Sequence, residues 1–95
     1  MLKNNSQVTI SISQLTKDKI IEKNIESWPI WSCEISEFPW TYGQKETCLI
    51  LEGEIIVTTE TERVTIHSGD YVIFPKGLSC HWNVLKPVRK HYSFG

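Results

Sequence analysis

The chain has little of what would mark a membrane span, a nucleic-acid surface or a disulfide scaffold. No apolar run approaches the roughly 20 residues a membrane helix needs, and the opening MLKNNSQVTISIS has no apolar signal-peptide core with a small-residue cleavage site. A cytoplasmic protein with no membrane partner is expected. There is no excess of either charge. Ten Lys and Arg against eleven Asp and Glu leave a formal net charge of −1, so nucleic acid is not an expected partner. That small net charge suits self-association. Cysteine is scarce and odd in number: Cys33, Cys48 and Cys80, with no close pair such as CxxC, are expected as reduced thiols. Long linkers, repeats and low-complexity segments are missing too, which leaves one compact unit of 95 residues.

What is present is a succession of short strands. Residues 7–13 alternate apolar Val8, Ile10 and Ile12 with polar neighbours, the period of a half-buried strand. Residues 15–25 form the one expected helix, capped by Thr16, with Ile20, Ile21 and Ile25 at helical spacing and a need to pack on something else. From Trp28 on, helical periodicity does not return. Trp31, Cys33 and Ile35 alternate, and Phe38-Pro39-Trp40 reads as a turn. Residues 46–51 read as a buried strand, and Glu52-Gly53 as a tight hairpin into Ile55, Ile56 and Val57. Three polar or Gly/Pro punctuations, at 58–62, 68–70 and 75–77, separate strands over 64–66, 71–74 and 79–85. Pro87 interrupts before a last strand over 88–94. Regular short strands with turn signals predict an all-β sandwich or barrel.

Two stretches carry a family resemblance, FPWTYGQKETCLILEG (38–53) and GDYVIFPKGLSCHWNV (69–84). They resemble the two motifs of the cupin superfamily. Glu46 and Gly53 have the glutamate-to-glycine spacing of the first motif, and Gly69, Pro75 and Gly77 match the second. The segments WPIW, EFPW, GDYVIFPKGLSC and KPVRKHY look like the small single-domain cupins grouped with ureidoglycine aminohydrolase and the ethanolamine-utilisation cupin. The resemblance implies one cupin domain over residues 1–95, a jelly-roll barrel over 28–94 with the strand and helix of 7–25 packed on it. It also implies a homodimer.

A typical metal-binding cupin holds a divalent ion with three histidines and a glutamate. The resemblance places those positions on Trp40, Tyr42, Cys80 and Glu46. An indole N–H only donates, and a phenol is protonated at ordinary pH. No metal is therefore expected at the usual place, and a divalent ion on Glu46 and Cys80 alone would have only two ligands. His67, His81 and His91 fall off the ligand positions and are expected at the surface or at strand edges.

Glu46 has two readings: a buried carboxylate able to exchange a proton with a ligand, or a retained polar residue hydrogen-bonded to Tyr42 or to backbone. Alternation puts Cys48 on the same face as Glu46, and Trp82 with Cys80. Cys80 then faces the cavity near Cys48, while buried structural cysteine is the plainer alternative. Trp40, Tyr42 and Trp82 either line a pocket or fill the barrel as core. Trp28 and Trp31 are expected on an outer sheet or an interface. KPVRKHY either presents Arg89 or Lys90 to an anionic ligand or is a solvated strand. The reading that results is a small-molecule-binding cupin whose cavity is lined by Trp40, Tyr42, Glu46, Cys48, Cys80 and Trp82. Its rivals are a metal-dependent enzyme acting on a small nitrogenous metabolite, similar to ureidoglycine aminohydrolase, and a non-catalytic partner protein whose barrel is full.

Overall fold

A computed structural model describes residues 9–95. Strand β1 (Ser11–Gln14) is followed by helix α1 (Lys17–Glu22), a 3-10 turn (Ile25–Ser27), β2 (Ile30–Cys33), β3 (Ser36–Thr41), β4 (Glu46–Thr58), β5 (Arg63–His67), β6 (Asp70–Phe74) and β7 (Ser79–Phe94). All pairings are antiparallel. The sheet runs β1-β6-β4-β7-β2, with β3 added to β7 and β5 added to β4. Two long strands organise everything else. The first residues of β4 lie between β6 and the end of β7, and its second half lies between β5 and the start of β7. The result is the antiparallel β-barrel expected for a cupin.

Three expected breaks are absent, and each for a backbone reason. Phe38-Pro39-Trp40 is not a turn but the middle of β3, with Pro39 opposite His81. Glu52-Gly53 is not a hairpin. β4 runs through it with register shifts on either side, pairing Glu52 with Arg89 and Glu54 with Lys86. Pro87, which has no N–H to give a ladder, sits in the same irregularity, so β7 also continues unbroken. Gly53 has φ of 112°, and a Cβ there would meet the Pro87 carbonyl oxygen at 2.6 Å and the Val88 Cα at 2.8 Å. Glycine is required here so that two backbones can touch, not so that a chain can reverse.

The helix is shorter than the spacing predicts. Thr16 caps it as expected, its hydroxyl accepting from the Lys19 N–H at 3.2 Å, but Asn24 adopts a left-handed conformation and ends it. None of its residues is buried. Ile21 is exposed, and Ile25 packs inward from the 3-10 turn instead. The first strand begins at Ser11, and the part of its expected range before residue 9 lies outside the described residues. It is tied down by Asp70. That buried carboxylate accepts from Gln14 Nε2 at 2.8 Å and from the His67 N–H at 2.9 Å, joining β1, β5 and β6 at the turn around Gly69. The aliphatic core gathers Ile50, Ile55, Val57, Ile66, Val72, Val84 and Val88, all fully buried or nearly so. No helix among the described residues is long and apolar enough to cross a membrane.

Candidate functional site

Beside that core the barrel opens into a cavity of about 320 Å³. Four strands and one loop build it. Trp31 comes from β2, Phe38 and Trp40 from β3, Glu46 from the first position of β4, and Trp82, Lys90, Tyr92 and Phe94 from β7; Tyr42 comes from the loop after β3. Strand alternation explains the set. In β7, residues 82, 90, 92 and 94 share one face, and their partners Phe38 (opposite Trp82), Trp31 (opposite Lys90) and Glu46 (opposite Phe94) present the same face. The loop is held by backbone: the Tyr42 N–H donates to the Leu78 carbonyl at 2.9 Å, and the Gly77 N–H donates to the Tyr42 carbonyl at 2.8 Å.

At the centre is an ion pair. Lys90 Nζ lies 2.6 Å from Glu46 Oε2, with both side chains about 95% buried. The ammonium also stands 4.8 Å from the Trp31 ring centre and 4.9 Å from that of Trp82, distances at which a ring face attracts a cation. The rings brace one another. Trp31 meets Trp82 edge-on at 5.9 Å, Phe38 stacks on Trp82 at 5.7 Å, and Tyr42 stacks on Phe74 at 4.8 Å. Burial drives the Tyr42 hydroxyl well above the ordinary phenol value, and the negative charge of Glu46 raises it further. Trp82 Nε1 is buried without a hydrogen-bond partner among the described residues.

Trp40, Tyr42, Glu46 and Trp82 meet in the cavity wall. Cys48 and Cys80 do not line it. Cys48 is fully buried in the core, and burial pushes its thiol up to about 12 against a pull downward from Lys90. Cys80 points its thiol at the Trp40 carbonyl, 3.6 Å away, and burial pushes it up to about 11. Both are protonated thiols near neutral pH, unsuited to nucleophilic attack. Among the described residues Glu46 is bonded neither to Tyr42 nor to backbone; its partner is Lys90.

Trp31 is the clearest displacement from expectation, since it forms cavity wall and not outer sheet. His91 is another: it is buried, with Nδ1 2.9 Å from the Trp28 carbonyl, whereas His67 and His81 are exposed as expected. Arg89 points outward to Glu52 at 3.0 Å. Lys90 was expected either to meet an anionic ligand or to lie on a solvated strand, and its pairing with Glu46 is the part that the sequence did not show. Reading Pro87 as a break discarded the parity that carries Trp82 and Val84 through Val88 to Lys90.

The donor set does not fit a divalent metal. Among the described residues the one carboxylate lining the cavity already faces an ammonium, which would repel a second cation, and the rest of that wall is aromatic and offers no imidazole. Among the described residues no three His, Cys, Asp or Glu side chains converge.

Barrel and cavity together define a cupin. Residues 22–92 match the EutQ-like cupin domain, and the chain belongs to that family. It is 51% identical to a DUF861-family protein from Thermotoga maritima whose crystal structure superposes with a TM-score of 0.90, covering 92% of this chain and all of that one. EutQ of Salmonella typhimurium, named an acetate kinase, is 38% identical over 55 residues, 58% of this chain and 24% of that protein. The chain thus spans about a quarter of the length of the curated relatives it matches. A crystal structure of Salmonella EutQ gives a TM-score of 0.59 at 25% identity over 90% of this chain and 68% of that one.

Proposed function

We propose that this chain is a small-molecule-binding cupin that works without a metal, and that its binding centre is the Glu46–Lys90 pair. The observation that carries the reading is a buried ion pair at 2.6 Å beside an aromatic-walled cavity of about 320 Å³. Burying two charges is expensive, and a well-packed apolar pair of the same volume would often serve stability as well or better. A pair placed where a cavity meets the core has a use in recognition that a filled barrel would not need. The size lies at the lower end of ligand pockets, about 300–1,000 Å³, so the ligand is small.

Two rivals are supported less well. A metal-dependent reaction resembling that of ureidoglycine aminohydrolase needs ligands in place of Trp40, Tyr42 and Cys80, and no ammonium on the carboxylate of Glu46. An acetate kinase activity, which the EutQ relatives are named for, calls for a cradle of positive charge around phosphate. Among the described residues the only cation in the cavity wall is Lys90, already paired. The homodimer stays a proposal supported by exposed Ile30, Ile35 and Leu85; sedimentation should return a dimer, and a monomer at high concentration contradicts it.

Trp31, Trp40 and Trp82 all line the cavity, so intrinsic fluorescence reads the site directly. Titration with phenol, a single-ring probe, should give a saturable change in emission. A purely collisional, non-saturating quench contradicts the reading and favours a partner protein that acts through its surface.

A further inference from the structure

The pair leaves unspent hydrogen-bonding capacity on both of its members. An ammonium has three N–H donors. Among the described residues, Lys90 directs one to Glu46 Oε2, and its other close neighbours are the faces of Trp31 and Trp82, which offer no lone pair. Glu46 uses Oε2 for Lys90, which leaves the second carboxylate oxygen to face the cavity that Glu46 lines, and among the described residues the buried Trp82 Nε1 beside it has no hydrogen-bond partner. Both residues line the cavity. A vacant donor and a vacant acceptor therefore stand side by side beneath a ring-lined space.

Charge decides what completes them. The pair sums to zero. A carboxylate that accepted from Lys90 would bring a second negative charge against Glu46, and an ammonium that donated to Glu46 would bring a second positive charge against Lys90. In a site this buried neither repulsion is screened by water. A neutral group with an acceptor and a donor on the same carbon meets both residues and adds no charge. The carboxamide is the common organic group of that kind: its carbonyl accepts and its N–H donates. The volume of about 320 Å³ and the aromatic walls contributed by Trp31, Phe38 and Tyr92 suit a single flat ring behind that head group.

We propose that the ligand of this cavity is a small neutral carboxamide or lactam on a planar apolar body, its carbonyl oxygen on Lys90 and its N–H on Glu46. The inference rests on the reading of the cavity as a ligand site given above and names the chemical class that site takes. Lys90 then does the work that a metal does in other cupins, placing a fixed positive charge on a ligand oxygen.

The test uses three probes of one shape and different charge: benzamide, benzoate and benzylamine, titrated at pH 7.5 by calorimetry and tryptophan fluorescence. Benzamide should bind at least about tenfold more tightly than either ion, about 1.4 kcal/mol, since each ion sets like charges against each other. Substitution should then re-rank the probes. Glu46→Gln leaves Lys90 unopposed and should put benzoate first; Lys90→Met leaves Glu46 alone and should put benzylamine first. If benzoate or benzylamine binds the wild-type protein best, the neutral class is wrong while the pocket stands. If none of the three saturates a signal, both the class and the ligand-binding reading fall. The wild-type ranking decides the matter even where a variant does not fold.

Discussion

The aliphatic core and the cavity beside it are built from the same two long strands, yet they solve opposite problems. Where the second half of β4 meets the start of β7 and β5, inward positions carry Ile55, Val57, Ile66 and Val84, side chains of modest size that leave no polar atom to satisfy. Where the first half of β4 meets the end of β7, inward positions carry Glu46, Lys90, Tyr92 and Phe94, and the space is left open. Branched aliphatic side chains interdigitate and close a barrel. Rings held edge-on or in offset stacks brace one another at fixed angles, so they can wall a space without collapsing into it. One region is therefore specified by volume and the other by direction and charge.

The largest effects should come from breaking the charge half of that contrast. Glu46→Gln or Lys90→Met alone strands a buried charge and should cost about 3–5 kcal/mol in denaturant unfolding, whereas the double variant should recover most of the loss. Equal and additive losses would mean that the two groups are not a pair. Volume is tested next. Ile55→Ala, in the closed region, should cost about 3 kcal/mol through the cavity it leaves. Trp40→Ala, at a rim position that is 52% exposed, should cost about 1 kcal/mol or less in stability yet weaken phenol binding. A reversed order would put the core where the cavity has been placed.

The join between the regions is Gly53. Gly53→Ala forces a Cβ onto the Pro87 carbonyl and an unfavourable φ, and should cost on the order of 2 kcal/mol. An unchanged midpoint would mean that β4 and β7 do not touch there.

The smallest effect is alkaline. Burial raises the Cys48 thiol from 9.0 to about 12 and raises Tyr42 above its ordinary value, so the folded chain holds these protons more tightly than the unfolded chain. The stability they contribute is complete below about pH 9 and is lost as pH climbs towards 12. The melting temperature should fall across that window, and less so in Cys48→Ala. A flat profile would place Cys48 in contact with water.

The same contrast explains what could be read in advance. The barrel was legible because alternation and turn residues are local: the turns at 58–62, 68–70 and 75–77 fall between the strands they were expected to separate. Glu46, Tyr42, Trp40 and Trp82 were legible as neighbours through the spacing of the two motifs. Glu52-Gly53 and Pro87 misled for one shared reason. Glycine and proline signal a turn when each is read alone, but these two face each other across a pair of strands and together make an irregularity that neither predicts. Once Pro87 is taken as a break, Lys90 loses its parity with Trp82 and looks like a solvated cation. The thiols misled differently: alternation gives a face, not a depth, and Cys48, two residues on from Glu46, is already sealed in the core.

The most direct measurement is a crystal structure at neutral pH of protein exposed to manganese, with anomalous data collected at the metal's absorption edge. The expected result is Lys90 Nζ within hydrogen-bond distance of Glu46 and no anomalous peak beside that carboxylate. A manganese ion bound to Glu46, with Lys90 swung away from it, would contradict the proposal that an ammonium, and not a metal, is the cation of this site.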